Sequence, residues 1–278
     1  MIRSLSPVTA GGGLSLSEQV ALCARHDFQG LEISIEAAQS LGLEAAQQLF
    51  TENGVAPVTF GLPVEWRKDD EAFENGLAKL PEQAEFAAKL GVLNCCTWVL
   101  PDGNAPASEY AERSLERFTK IARIFAPLDI RFGLEFLGPK MFRKTENIWF
   151  YDIAGALEAT DEVNARIGKT TVGLLLDSWH WYAGGGTLMD LASCPLDQMV
   201  HVHVNDAPKG VALDDLVDNV RELPAATGEI DIAGFISTLS ALGYDGAVSV
   251  ETFSAELNAL SPDEAAARAS EAMKKILV

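Results

Sequence analysis

The sequence predicts a parallel (β/α)8 barrel of the TIM type, and three observations carry that prediction. Strand-like apolar runs alternate with helix-like stretches from one end of the chain to the other. In the later runs one parity is aliphatic while the other closes on an acid or a histidine, as expected when one strand face meets helices and the other the barrel interior. The length, 278 residues, suits this architecture, which typically takes about 250.

Strands are expected near 2–8, 29–34, 54–61, 91–99, 129–136, 171–177, 199–205 and 246–251. Helices fall between them, near 15–26, 43–52, 69–90, 108–126, 147–165, 187–193 and 231–242, with a last one near 262–276. Ser15 with Glu18 three positions on reads as a capping box. Gly91, Gly243 and Gly246 stand where helices give way to strands. Ser261-Pro262-Asp263-Glu264 places proline in a first helical turn with acids beside it. No linker, low-complexity tract or shift in composition divides the chain, so residues 1–278 are expected to form one barrel domain.

Composition narrows the classes. Hydrophobic residues make up 48%, enough for a large core, and no apolar run is long enough to span a membrane. The N-terminus lacks the basic and apolar segments of a signal peptide. A formal charge of −19 opposes binding to nucleic acid, which needs a basic face. Cys23, Cys95, Cys96 and Cys194 form no CxxC pair and are expected to be buried thiols, which points to the cytoplasm.

Strand alternation locates the chemistry. Phe132, Leu134 and Phe136 oppose Gly133 and Glu135; Val172, Leu174 and Leu176 oppose Gly173, Leu175 and Asp177. Val200, Val202 and Val204 oppose His201, His203 and Asn205; Val248 and Val250 oppose Ala247, Ser249 and Glu251. The aliphatic parity must cover the helices, which turns Glu135, Asp177, His203 and Glu251 inward near the C-terminal strand ends. Three carboxylates in one mouth need a positive partner, because burying an unpaired one costs several kcal/mol. One divalent ion (Zn, Mn, Co or Mg) held by those four residues is the compact solution. The alternative is pairing with Arg131, Lys140, Arg143 or Arg221.

Further residues take roles from position. His203 lies nearer the mouth than His201, so His203 is the expected ligand and His201 a supporting or core histidine. His180, in the segment DSWH just past Asp177, is expected to contact substrate. His26 ends an early helix and is expected to have no catalytic role. Residues 206–229 read as a lid or specificity loop. Arg221 within it, and Lys140 after the fifth strand, are candidates for substrate oxygen atoms; a solvated surface position is the other reading of each. Trp66, Trp98, Trp179 and Trp181 sit at or beyond strand ends, where aromatics can wall a sugar ring. Gly184-Gly185-Gly186 lacks the spacing of a phosphate-binding loop.

The segments GLEFLGPK (133–140), VGLLLDSWHW (172–181), HVHVND (201–206), GEIDIAGFISTLSALGYDGAVSVETF (228–253) and SPDEAA (261–266) resemble the xylose-isomerase-like barrel superfamily of sugar isomerases and epimerases. Within it they look most like the inosose (2-keto-myo-inositol) isomerases. The likeness runs the full length and is strong from about residue 130. It implies metal ligands at Glu135, Asp177, His203 and Glu251, a substrate-contacting histidine at His180, and, more loosely, an arginine at Arg221. After the fifth strand GPK replaces a longer segment of the sugar 3-epimerases, which disfavours a ketohexose epimerase. The implied reaction fits the ligands. A metal beside a carbonyl makes the neighbouring C–H more acidic by stabilising an enediolate. Glu135 and Glu251 would move the proton. The implied partner is a small polyol or sugar, with neither nucleic acid nor membrane; the oligomeric state, a homo-oligomer included, is open. The rival readings are an inosose dehydratase-like lyase, a metal-containing barrel without turnover, and an abasic-site endonuclease. The last needs more histidines than the four present, and no affinity for abasic DNA is expected.

Overall fold

The alternation resolves into eight parallel strands that close in chain order, with the last paired back to the first. The structure, a computed structural model, describes residues 1–277. Its first half holds β1 (Ile2–Leu5), α1 (Leu16–Arg25), β2 (Gly30–Ile33), α2 (Ile35–Leu41), α3 (Leu43–Asn53), β3 (Ala56–Gly61), α4 (Asp70–Leu90) and β4 (Asn94–Val99). Next come α5 (Ala107–Phe125), β5 (Arg131–Phe136), α6 (Ile153–Ile167), β6 (Val172–Asp177), α7 (Ser178–Ala183) and α8 (Leu188–Ala192). β7 (Met199–Val204), α9 (Ile232–Ala241), β8 (Ala247–Val250), α10 (Ala255–Asn258) and α11 (Pro262–Ile276) complete the ring. No helix among the described residues is long and apolar enough to cross a membrane.

Local signals act as expected where a side chain satisfies a helix end. Ser15 and Glu18 close a reciprocal capping box on α1, and Ser261 and Glu264 do the same on α11. Other boundaries moved. β1 stops at Leu5 rather than residue 8, because Pro7 opens a 3-10 turn over Pro7–Ala10 and lacks the N–H that a ladder needs. α6 starts at Ile153 rather than near 147, where the Asp152 carboxylate accepts from the Gly155 N–H. Three short helices, α2, α7 and α10, were not expected. Each begins on a side-chain cap close behind a strand: Ser34, Asp177 and Ser254.

The core lies between the strands and the helices. Phe132 on β5 meets Phe118 and Phe125 of α5 edge-on, each at 5.8 Å between centroids. All three are fully buried, and such rings contribute roughly 1.5–3 kcal/mol each through burial. All four cysteines are buried and free.

Two strands among the described residues depart from strict alternation: β3, where Val58 is extra opposite β2, and β7. β6 pairs Leu174 with Met199 but Leu175 with His201, so Val200 is an extra residue in β7. Val200 therefore leaves the helix-facing set in which alternation places it. It packs inside the barrel with Cys96 and Leu175. The bulge keeps His201 and His203 on the inward face above this apolar plug.

Candidate functional site

Four strands deliver the cluster. Glu135 is on β5, opposite Trp98 of β4; Asp177 ends β6, opposite His203 of β7; Glu251 directly follows β8. One ligand atom from each of the four lies within 4.8 Å of the others. Glu135, Asp177 and His203 are buried and Glu251 nearly so.

Neighbouring groups hold these side chains in place. One Asp177 oxygen accepts from the Trp179 backbone N–H and from the Asn205 amide, both at 2.8 Å. The other receives the Arg221 guanidinium at 2.8 Å, and the same nitrogen reaches a Glu251 oxygen at 3.1 Å. Arg221 is itself oriented by Asp218, which accepts at 2.9 Å through its carboxylate and again through its backbone carbonyl. His180 is buried with Nε2 3.4 Å from Arg221 and 3.8 Å from a Glu135 oxygen. Below the cluster, Glu32 of β2 reaches across the barrel to His203 and His201, at 2.7 and 2.9 Å from their Nε2 atoms.

The electrostatics show a shortage of positive charge. Burial, and then Glu251, push the Glu135 carboxyl well above the ordinary carboxylate range. Burial raises Glu251 too, but His203 and Arg221 outweigh it and hold that carboxyl low. Burial opposes the His203 charge, yet Glu32 and Glu251 together lift its pKa well above the usual value. Glu32 is likewise raised by burial and pulled well below its ordinary value by His203 and His201. Burial drives His180 down to about 3, so its imidazole is neutral.

The donor set fits a divalent cation. A Glu135 oxygen and His203 Nδ1 are buried without hydrogen-bond partners, although Nδ1 lies 3.3 Å from Glu251 and 3.8 Å from Glu135. A buried carboxylate oxygen and imidazole nitrogen without hydrogen-bond partners are groups a cation can satisfy in place of a proton, and three oxygens with one nitrogen suit Zn, Mn, Co or Mg.

Not every residue singled out in the sequence joins the cluster. Lys140 is exposed and paired with Asp214, away from the carboxylates. Arg221 is neither a solvated surface arginine nor free for a substrate oxygen alone: it is buried between Asp177, Glu251 and Asp218. Arg131 donates to the Asp197 carbonyl and Arg143 stacks on Tyr151, so neither neutralises the site. Of the four tryptophans singled out, Trp66, Trp179 and Trp181 are buried in the core rather than walling a ring. Trp98 alone among them is open, 40% exposed, with the Arg67 guanidinium 3.6 Å over its ring. His26 bonds Asp263 at the start of α11, outside the site. The 206–229 loop is tied together at its two ends. The Asp206 carboxylate accepts from the backbone N–H groups of Ala207, Thr227, Gly228 and Ile230.

Two contributors went unread in the sequence. Glu32 sits in GLEI (30–33), a single acid within an apolar run, the same signature that marked Glu135. Asp218 lies three residues before Arg221 in an irregular loop and left no periodic signal. Gly138 also belongs to the site's framework. A Cβ there would fall 2.0 Å from the His180 carbonyl oxygen, so only glycine lets this loop pass against α7.

A xylose isomerase-like TIM barrel family pattern matches residues 20–276. The chain belongs to that family. An inosose isomerase of Bacillus velezensis is 23% identical over 270 residues, 95% of this chain and 92% of the relative. A xylose isomerase domain protein from Alicyclobacillus acidocaldarius superposes with a TM-score of 0.89 at 26% identity, covering 100% of this chain and 98% of that one. A crystal structure of the IolI protein with a bound zinc atom superposes at 0.83 and 22% identity, over 100% and 98% of the two chains. The last likeness is one of fold.

Proposed function

We propose that this protein is a metal-dependent sugar isomerase or epimerase that moves a proton beside the carbonyl of a small sugar or inositol ketone. The observation that carries the reading is the convergence of Glu135, Asp177, His203 and Glu251 in one barrel mouth, with a glutamate oxygen and a histidine nitrogen left unpaired. The family and the inosose isomerase relative support the substrate class. The zinc in the IolI protein supports a divalent ion.

Glu135, Asp177, His203 and Glu251 would hold the ion. Bound there, it would act as a Lewis acid, polarising a carbonyl oxygen and favouring enediolate character. Glu135 and Glu251 would take the proton and return it, to the neighbouring carbon for isomerisation or the same carbon for epimerisation. Neutral His180, 3.8 Å from a Glu135 oxygen, would orient a substrate hydroxyl, while Arg221 holds Asp177 and Glu251 in place. Trp98 would wall the open side. A dehydratase that eliminates water from an inositol ketone is the second reading, since the same proton abstraction begins it.

The test has two parts. Metal analysis of the purified protein should find one divalent ion per chain and its loss in His203→Ala; equal content in both removes His203 from the ligand set. Incubation with an inosose in heavy water should place deuterium beside the carbonyl. A product lacking one water would move the assignment to the lyase.

A further inference from the structure

Glu32 lies half-buried within the barrel on the side opposite the strands that supply the cluster, and a single one of its oxygens meets two histidines. A carboxylate oxygen only accepts, so His203 Nε2 at 2.7 Å and His201 Nε2 at 2.9 Å must both carry their hydrogens. That fixes where the lone pair of each neutral ring lies. On His203 it lies on Nδ1, which points at Glu251 and Glu135 and has no hydrogen-bond partner. The same His201 Nε2 also lies 3.0 Å from the Ser249 hydroxyl, so its hydrogen is shared between the two oxygens. The two imidazoles stand edge to face, 5.3 Å between centroids, and share that one oxygen.

We propose that Glu32 is the positioning residue of the metal centre: it fixes His203 as the Nε2–H tautomer, presents Nδ1 as the ligand atom, and is itself held by His201. The inference rests on the metal reading of the cluster. Removing the carboxylate would leave the His203 ring free to exchange tautomers or rotate away, and carboxylates behind metal-bound histidines are typically worth about 10–100-fold in metal affinity. The alternative for these residues is that Glu32, His201 and His203 hold an ion of their own.

Only four histidines are present, so nitrogen-15 spectra of the imidazoles can be assigned with few variants. In zinc-loaded wild type, His203 should carry hydrogen on Nε2 and show the metal-shifted nitrogen at Nδ1. Zinc bound through Nε2 would overturn the proposal, whatever the variants do. Competition with a chromophoric chelator should show zinc held about 10–100-fold more weakly by Glu32→Gln and Glu32→Ala. The visible spectrum of the cobalt-substituted variants should also change. Undiminished affinity with an unchanged cobalt spectrum in folded Glu32→Gln would reduce Glu32 to a packing role and sink the idea. Two ions per wild-type chain would favour the separate site and overturn it as well. Wild type that binds no divalent ion removes the metal reading itself, which separates that failure from the failure of the role given to Glu32.

Discussion

Strands β5 to β8 and strands β1 to β4 carry similar apolar outer faces but end differently. Phe60 on β3 and Phe132 on β5 are both fully buried, and both meet Phe125 of α5 edge-on. At the mouth the likeness stops. The second half ends in Glu135, Asp177, His203 and Glu251, with Arg221 from the following loop wedged between two of them. The first half offers Trp98 and Arg67 at the rim and one half-buried carboxylate, Glu32. Outer faces repeat because every strand must bury a helix; mouths differ because the acids and the histidine gather at the ends of β5 to β8, where Arg221 pairs with two of them.

The largest effect should come from Glu251→Gln. It keeps size and an oxygen donor but loses the base, so deuterium exchange into an inosose should slow by about 10²–10⁴-fold. Unchanged exchange would mean that the second half of the ring holds charge without using it.

Arg221→Met should cost stability. Removing one partner of a buried ion pair destabilises by roughly 3–5 kcal/mol, because Asp177 and Glu251 keep their charges without compensation. Urea unfolding of the metal-free protein measures it. Added zinc should recover part of the loss, since it neutralises the same oxygens. A cost no larger than that of a typical surface substitution would show that the mouth does not depend on this arginine.

Trp98→Ala should do least to the fold. The ring is open and its main partner is the Arg67 guanidinium, an exposed contact worth roughly 0.5–1 kcal/mol. Phe132→Ala, on the helix-facing side of the neighbouring strand, should cost about 3–5 kcal/mol. If Trp98 walls the substrate, its removal raises KM with little change in melting temperature. Equal stability losses for the two variants would erase the distinction between rim and core.

Much of this was legible in the chain. Alternation in β5 and β6 placed Glu135 and Asp177 on the inward parity because a two-residue period needs no tertiary information. The same reasoning misplaced Val200, since a bulge is set by the neighbouring strand's register and not by the residue itself. It also left Arg221 open, because no periodicity governs the long loop that carries it. The three buried tryptophans lie near strand ends in sequence, yet Trp66 packs on Phe118 of α5, and Trp179 and Trp181 are carried inward by α7 itself.

The sequence by itself determined the ring of strands and helices and the order of acids and histidines along it, because hydrophobic period and helix caps act over a few residues. Tertiary structure decided which charges meet. Glu32 and His203 stand 171 positions apart and share a hydrogen bond at 2.7 Å; Arg221 and Asp177 stand 44 apart and share a buried ion pair. Such pairs form only once the barrel closes, because closure removes the water that would otherwise solvate each charge alone.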